Sequence, residues 1–282
     1  MIIWIASYPK SGNTWVRSLL STYFYSNDGI FNFDLLKNIK QFPSKQYFDF
    51  FLKDFNDIKK ISDYWIAAQD RINLLNEKTT FLKTHSALCK LEKNSFTNKR
   101  NTKAAIYIVR DPRNLITSFS HHYSISVDKA FEDMTNKNKI LTEKEWGSDG
   151  FGVATILGTW ADHYRSWQSL NFSPKIIIKY EDLIKDTKGT FILILNFLKN
   201  LIDIEIDEKR IQSVISSCEF EVLAKKEKLE GFIESTSSKK NDKKINFFYL
   251  GKKNNWQNLL DEKIEIKVKK AFNNEMKELN YI

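Results

Sequence analysis

The chain has 282 residues, of which 42% are hydrophobic and 14% aromatic, so it is long enough to bury a sizeable core as one large α/β domain or two small ones. Its 44 lysines and arginines exceed its 35 aspartates and glutamates, which favours anionic partners such as nucleotides, nucleic acid, or sulfated or phosphorylated molecules. Two isolated cysteines exclude a disulfide framework and a zinc-site spacing and favour a cytoplasmic location, and no apolar stretch approaches the roughly 20 residues that span a bilayer.

The first eighteen residues predict a phosphate-binding loop between a strand and a helix. Residues 2–6 form an apolar run typical of a buried strand, a turn carrying Gly12 follows, and a helical pattern begins near Trp15. Backbone N–H groups and the positive end of the helix dipole bind anions at such a junction, and Lys10 adds a full charge. For this loop taken alone, an ordinary turn with one surface lysine is an equal alternative.

The string YPKSGNTW differs from the P-loop of nucleoside triphosphatases, which places a lysine directly after its second glycine. It closely resembles the 5′-phosphosulfate-binding loop of sulfotransferases that use 3′-phosphoadenosine 5′-phosphosulfate (PAPS), which usually reads YPKSGTTW. Trp15 is a candidate for stacking on adenine, with a core tryptophan as the alternative. The resemblance implies that the 5′ end of PAPS is held by Lys10, Ser11, Gly12, Asn13 and Thr14.

A second predicted strand, residues 80–85, ends in a polar cluster that contains Lys83 and His85. Parallel sheets place functional groups at the carboxyl ends of their strands, although a lone histidine is more often structural. Sulfotransferases carry Lys-x-His at this place. The resemblance implies that His85 is the general base and that Lys83 contacts the sulfuryl group that is transferred.

A third predicted strand, residues 104–109, runs into Arg110 and then into a helix that carries Ser118. Arginine is suited to bidentate phosphate recognition, and a structural pair of Arg110 with Asp111 is the alternative. The string VRDPRNLITSFSHHY resembles the second signature of the sulfotransferases. In that signature the first arginine and the serine eight residues later bind the 3′-phosphate, which implies this role for Arg110 and Ser118.

The last third of the chain predicts a fourth strand, residues 175–180, and long helices over 211–228 and 261–279, with a flexible loop over 234–246. By resemblance, Tyr180 lies near the adenosine, with a core tyrosine as an almost equal alternative, and Phe220 contacts adenine. The segment FFYLGKKNNW resembles the closing segment of the family, in which Gly251 keeps its place. Tyr249 and Leu250 replace an arginine and a lysine, so either of the two lysines after Gly251 supplies the missing charge or the 3′-phosphate is bound more weakly.

Together these segments predict one domain over residues 1–282, an α/β fold with a central parallel sheet flanked by helices, similar to P-loop NTPases and identified as a sulfotransferase fold by resemblance. The resemblance implies sulfuryl transfer from PAPS to a hydroxyl or amine of a small-molecule, sugar or lipid acceptor. His85 is then the base, Lys10 and Lys83 stabilise charge, and no metal is implied.

Two alternatives stay open at this point. A P-loop phosphotransferase needs Mg²⁺ and a lysine after the loop glycine, and a basic nucleic-acid-binding protein would use the run Lys239–Lys244, which is more simply a solvated loop. Both alternatives leave the segment from Arg110 to Ser118 without a purpose. The expectation is therefore no nucleic-acid partner and no stable membrane insertion.

Overall fold

The computed structural model describes residues 1–76, 78–142, 152–237 and 243–282, so the basic run at 239–244 lies mostly outside the described residues. The strands are β1 (Ile2–Ser7), β2 (Lys40–Gln41), β3 (Thr80–Thr84), β4 (Lys90–Leu91), β5 (Asn94–Ser95), β6 (Thr102–Val109), β7 (Ile140–Leu141), β8 (Thr155–Ile156), β9 (Lys175–Lys179), β10 (Thr236–Ser237) and β11 (Lys244–Ile245).

The helices are α1 (Asn13–Tyr25), α2 (Lys45–Phe48), α3 (Ile58–Asp63), α4 (Trp65–Leu75), α5 (Pro112–Tyr123), α6 (Val127–Thr135), α7 (Trp160–Gln168), α8 (Tyr180–Lys185), α9 (Thr187–Lys199), α10 (Glu208–Ser217), α11 (Phe220–Glu230), α12 (Trp256–Leu259), α13 (Glu262–Ala271) and α14 (Asn273–Glu278), with 3₁₀ turns at Phe33–Asn38 and Gly251–Lys253. Within the described ranges, none of these helices has the length and apolar character needed to cross a bilayer.

A five-stranded parallel sheet in the order β2-β3-β1-β6-β9 forms the centre of the fold. The four predicted strands are confirmed, and the two-residue edge strand β2 is an addition that its polar sequence did not indicate. In the register, Ile5 lies opposite Lys83 on one side and Ile106 on the other. Because all five strands run the same way, their carboxyl ends meet at one edge of the sheet.

Each face of the sheet carries its own hydrophobic core, which is why β1 is fully buried. Trp4 packs on one face with side chains of α4, α5 and α7, whereas Ile3 and Ile5 pack on the other face with side chains of α1, α9 and α10. Successive residues of a strand point to opposite faces, so a continuous apolar run is what a strand between two helical layers requires. This confirms the prediction of helices on both sides.

Three sequence predictions about local structure are wrong. The helix predicted over 211–228 is two helices, α10 and α11, because the amide of Cys218 already closes the first helix and the backbone of Glu219 (φ −57°, ψ 145°) is not helical. The helix predicted over 261–279 is interrupted at the buried Phe272. The loop predicted over 234–246 contains the antiparallel pair β10 and β11, preceded by Glu234, whose side chain is only 15% exposed.

Candidate active site

One cavity lies at the carboxyl edge of the sheet and receives side chains from the ends of all five parallel strands. Twelve of the thirteen predicted cosubstrate and catalytic residues line it, and Ser11, whose hydroxyl is buried, does not. The twelve are Lys10, Gly12, Asn13, Thr14, Trp15, Lys83, His85, Arg110, Ser118, Tyr180, Phe220 and, from the closing segment, Gly251.

The loop between β1 and α1 is held in a conformation that most residues avoid. Lys10 has φ 69° and Gly12 has φ 100°, both in the left-handed region. A Cβ on Gly12 would lie 2.5 Å from Cδ2 of Tyr180, so the glycine is required by both backbone angle and space. Helix α1 begins directly afterwards at Asn13, two residues earlier than predicted, and its first N–H groups lack partners within the helix, as an anion site requires.

Asn13, which replaces the usual threonine of the loop, uses its side chain to hold the site together. Its amide nitrogen donates to the carbonyl oxygen of Ile5 at 2.9 Å and to Oγ of Ser7 at 3.2 Å. Ser7 in turn contacts His85, whose Nδ1 lies 3.3 Å from that Oγ. The side chain of Asn13 therefore ties the loop to the strand that orients His85, while its backbone N–H remains at the start of α1.

His85 has the tautomer that a general base needs. Its Nδ1 lies 2.8 Å from the carbonyl oxygen of Ser7, and because a carbonyl only accepts, the proton is on Nδ1 and the lone pair is on Nε2. Burial, reinforced by the positive charge of Lys83, lowers the pKa of His85 well below its usual value of 6.5. The ring is therefore neutral at pH 7 and able to accept a proton.

A second histidine, His163, binds the backbone of His85 and does not line the cavity. Nε2 of His163 donates to the carbonyl oxygen of His85 at 3.1 Å, and Nδ1 of His163 accepts a hydrogen bond from the hydroxyl of Tyr107 at 2.9 Å. Burial lowers the pKa of His163 to about 4. The ring is neutral and fully buried, which makes His163 a structural residue.

Lys10 is a lysine with a lowered pKa and an aromatic partner. Its Nζ lies 3.5 Å from the centre of the Phe247 ring, a cation–π contact that holds the ammonium group at the cavity. Burial lowers the pKa of Lys10 to about 7, partly opposed by the negative charge of Glu234 and assisted by the positive charge of Arg110. An anion that binds beside Lys10 would therefore favour its protonated form.

Arg110 enters the cavity from the end of β6. Its NH1 donates to the carbonyl oxygen of Lys10 at 2.9 Å, its guanidinium carbon lies 4.2 Å from the centre of the Tyr180 ring, and its Nε is buried without a hydrogen-bond partner in the described part of the chain. Asp111 pairs with Arg113 at 2.6 Å, so the alternative of a structural pair between Arg110 and Asp111 is wrong. Ser118 lines the same cavity from α5.

Aromatic side chains form the wall beside this anion-binding edge. The rings of Trp15 and Tyr180 meet edge to face with centres 6.0 Å apart, and Nε1 of Trp15 donates to the carbonyl oxygen of Cys218. A Cβ on Gly251 would lie 2.6 Å from the Phe220 ring, so this glycine lets the closing segment approach that ring. Trp15 and Phe220 are half-buried, which leaves part of each ring at the cavity.

The closing segment docks on α5, but its replaced residues do not supply a cation. Asn254 donates to the carbonyl oxygen of Asn114 at 2.8 Å and accepts from the hydroxyl of Thr117. The ring of Tyr249 stacks on His121, with centres 3.6 Å apart and planes 7° apart. The two lysines after Gly251 are exposed and are not among the residues that line the cavity.

Two charged residues at the site were missed by the sequence analysis, Arg17 and Glu234. The carboxylate of Glu234 contacts NH1 of Arg17 at 2.5 Å and Nζ of Lys83 at 3.2 Å, and it accepts a hydrogen bond from the hydroxyl of Thr14 at 2.8 Å. Arg17 was within reach of a sequence argument, because it follows Thr14 by three residues on the same helix face. Glu234 is 217 residues away from Arg17, and no local pattern connects them.

The described residues contain no group of three or more histidine, cysteine, aspartate or glutamate side chains placed to hold a metal ion. Lys10, Lys83 and Arg110 bring positive charge to the cavity, and Arg17 lies next to it in contact with Glu234. Together with the helix N-terminus they form a site for an anion with several negative charges.

Comparison with known proteins places this geometry in a family. A model of the sulfotransferase domain matches residues 2–280. Luciferin sulfotransferase of Photinus pyralis is 26% identical over 226 residues, which are 77% of this chain and 55% of that protein. Sulfotransferase 2A1 of Mus musculus is 28% identical over 207 residues, which are 72% of this chain and 61% of that protein. The chain thus spans less than two thirds of the length of these curated relatives.

Solved structures show the same fold. Mouse sulfotransferase SULT7A1 complexed with PAP superposes with a TM-score of 0.60 and 22% identity, covering 98% of this chain and 84% of that chain. Retinol dehydratase in complex with androsterone and inactive cofactor PAP superposes with a TM-score of 0.61 and 18% identity, covering 98% of this chain and 80% of that chain. The parallel sheet with its P-loop-like turn is therefore the sulfotransferase fold, and with the family model matching nearly the whole chain, this protein belongs to the sulfotransferase domain family.

Proposed function

We propose that residues 1–282 act as one domain that transfers a sulfuryl group from PAPS to a hydroxyl or amine of a small acceptor. The observation that carries the proposal is the meeting of His85, with its lone pair on Nε2, the lysine pair Lys10 and Lys83, and the start of α1 in one cavity. The two structural neighbours are complexes with PAP, which is adenosine 3′,5′-bisphosphate, the product that PAPS leaves after sulfuryl transfer. This supports PAPS as the cosubstrate here.

In the proposed reaction the acceptor oxygen or nitrogen attacks the sulfur of PAPS while the bond from sulfur to the 5′-phosphate oxygen breaks. His85 takes the acceptor proton on Nε2, and PAP leaves. Negative charge grows on the 5′-phosphate as that bond breaks, so Lys10 and the N–H groups of Asn13 and Thr14 stabilise it. Lys83 neutralises the sulfuryl oxygens.

Arg110 and Ser118 are proposed to hold the 3′-phosphate, and the aromatic wall is proposed to hold the adenine. Arg110 is only 5% exposed and carries an unpartnered Nε within the described residues, which supports a bound anion rather than a structural ion pair. Trp15, Tyr180 and Phe220 offer ring surface for a base. Gly251 brings the closing segment within contact of Phe220.

The acceptor is proposed to be a small molecule, a sugar or a lipid, with no nucleic-acid partner, no stable membrane insertion and a cytoplasmic location. Retinol and androsterone are named with a structural neighbour of this fold and concern that protein. For this chain, Tyr123 and Phe247 at the cavity favour an acceptor with an apolar part.

Thermal unfolding with added nucleotides tests the proposal directly. We expect PAP to raise the melting temperature more than ATP or 5′-AMP does, because a ligand that binds only the native state at a hundred times its dissociation constant adds about 2.7 kcal/mol of stability. Turnover of PAPS in the presence of EDTA then separates the reaction from Mg²⁺-dependent phosphoryl transfer. Equal stabilisation by ATP and PAP, with turnover lost in EDTA, would instead identify a phosphotransferase.

A further inference from the structure

The contacts of Glu234 define a subsite that the proposed roles of the loop and of Lys83 do not account for. Its carboxylate accepts a hydrogen bond from the hydroxyl of Thr14 at 2.8 Å. It also forms ion pairs with NH1 of Arg17 at 2.5 Å and with Nζ of Lys83 at 3.2 Å. Thr14 and Arg17 lie one turn apart on α1, and Lys83 lies at the end of β3, the strand next to β1. Three donors from two elements thus converge on one anionic group.

The two charged donors, Arg17 and Lys83, are so deeply buried that they need a counter-anion. The side chains of Arg17 and Lys83 are each 6% exposed, and an uncompensated buried charge is strongly destabilising. The NH2 group of Arg17 is committed to the carbonyl oxygens of Leu36 and Ile39, which fixes the guanidinium with NH1 toward the carboxylate. The charge on Glu234 is correspondingly well stabilised, since Lys83 and Arg17 hold its pKa far below the usual value.

We propose that Arg17, Thr14 and Lys83 form the subsite for the phosphosulfate end of the cosubstrate, and that Glu234 occupies this subsite as an internal counter-anion until the cosubstrate displaces it. The inference rests on the proposed function, in which Thr14 faces the 5′-phosphate and Lys83 faces the sulfuryl group. The carboxylate of Glu234 contacts both Thr14 and Lys83. It therefore lies where the oxygen that joins the 5′-phosphate to the sulfuryl group would lie. Arg17 is thereby assigned as a further cosubstrate-binding residue.

Displacement exchanges one anion for another on the same donors. The phosphosulfate brings its negative charges to the cations that Glu234 releases, so their burial remains compensated. The exchange has a cost to affinity, because the apparent dissociation constant equals the intrinsic one divided by the fraction of protein whose subsite is open. If Glu234 occupies the subsite about nine tenths of the time, removing it tightens binding about tenfold.

The test compares PAP with 3′-AMP, which lacks the 5′ anion, by isothermal titration calorimetry. In Glu234→Gln we expect PAP to bind about tenfold more tightly, whereas 3′-AMP binds as it does to the unaltered protein. Glu230→Gln is the matched control, since it removes the same charge from an exposed residue at the end of α11, and it is expected to change neither affinity. Unchanged or weaker PAP binding in Glu234→Gln would overturn the inference.

Arg17→Lys tests the other side of the subsite. It keeps the charge but loses the fixed guanidinium fork, and we expect PAP to bind about tenfold more weakly with 3′-AMP unaffected. A purely structural role for Arg17 would weaken both nucleotides equally or neither. If Glu234→Gln does not fold, Glu234→Asp withdraws the carboxylate by one methylene and is expected to tighten PAP binding in the same direction.

Inorganic pyrophosphate separates this inference from the proposed function. If the unaltered protein binds neither PAP nor 3′-AMP, the proposed cosubstrate is wrong, and pyrophosphate binding then decides the role of Glu234 by itself. Tighter pyrophosphate binding in Glu234→Gln than in Glu230→Gln would support an anion subsite filled by Glu234. Equal pyrophosphate binding in the two variants would overturn it.

Discussion

Replacing His85 by alanine gives the sharpest test of the proposed mechanism. The side chain donates from Nδ1 to the carbonyl oxygen of Ser7 at 2.8 Å, so its loss removes one hydrogen bond, about 1 kcal/mol of stability. Its loss as a general base costs a factor of about 100 to 10,000 in rate, equivalent to about 3–5 kcal/mol in the barrier. The effect on turnover should therefore be far larger than the effect on folding.

Binding of PAP should survive this substitution, because the groups proposed to hold the nucleotide, which are the β1–α1 loop, Arg110, Ser118 and the aromatic wall, do not include His85. We expect the dissociation constant for PAP to change less than threefold in His85→Ala, whereas the turnover of PAPS with a phenolic or alcohol acceptor falls at least a hundredfold. His121→Ala is the control, since His121 stacks on Tyr249 and is not among the residues that line the cavity. Turnover in His85→Ala equal to that in His121→Ala would refute the assignment of the base.

Four further outcomes follow from the site. Gly12→Ala should lower the free energy of unfolding in urea by about 2–4 kcal/mol, since it combines a left-handed backbone with a Cβ 2.5 Å from Tyr180, and a loss below about 1 kcal/mol would contradict the packing. Because the pKa of Lys10 is lowered to about 7, PAP binding should weaken as pH rises from 7 to 9 with proton uptake, and Lys10→Arg, which stays charged, should remove this dependence. Arg110→Met should reduce the preference for PAP over 5′-AMP about 10- to 100-fold, and equal losses for both nucleotides would place Arg110 elsewhere. Since the pKa of His85 lies well below 6.5, turnover should hold its plateau to below pH 6.5 and fall only with further acidification, so a decline already at pH 7 would contradict a neutral buried base.

Local sequence patterns determined the elements that carry the site. The apolar runs that the sequence predicts as strands before Lys10, His85, Arg110 and Tyr180 are strands in the structure, and these four residues line the cavity where the strands end. Short-range sterics and burial decide such features: a strand between two helical layers is apolar throughout, and the glycine of the loop is required by its own backbone angle. The apolar run of a strand and the glycine of a turn each depend on only a few neighbouring residues, so both can be read from the sequence.

The partners of the charged groups were decided only by the tertiary structure. Asp111 has two arginines within two residues, and the fold pairs it with Arg113, which leaves Arg110 directed into the cavity. Asn13 was expected to help hold the 5′ end of PAPS, and the structure adds that its side-chain amide joins the loop to β1 and to Ser7, which contacts His85. Several partners are equally near along the chain, and only the packed arrangement selects one.

Glu234 is the clearest case. Its neighbours in sequence predict a flexible polar loop, yet its carboxylate contacts Thr14, Arg17 and Lys83 at the candidate active site. The reason is electrostatic: two buried cations from α1 and β3 require an anion, and the chain supplies it from a segment about 150 to 220 residues further on. Ion pairing over such a distance has no periodicity or spacing in the sequence, so it becomes visible only when the sheet has brought the strand ends together.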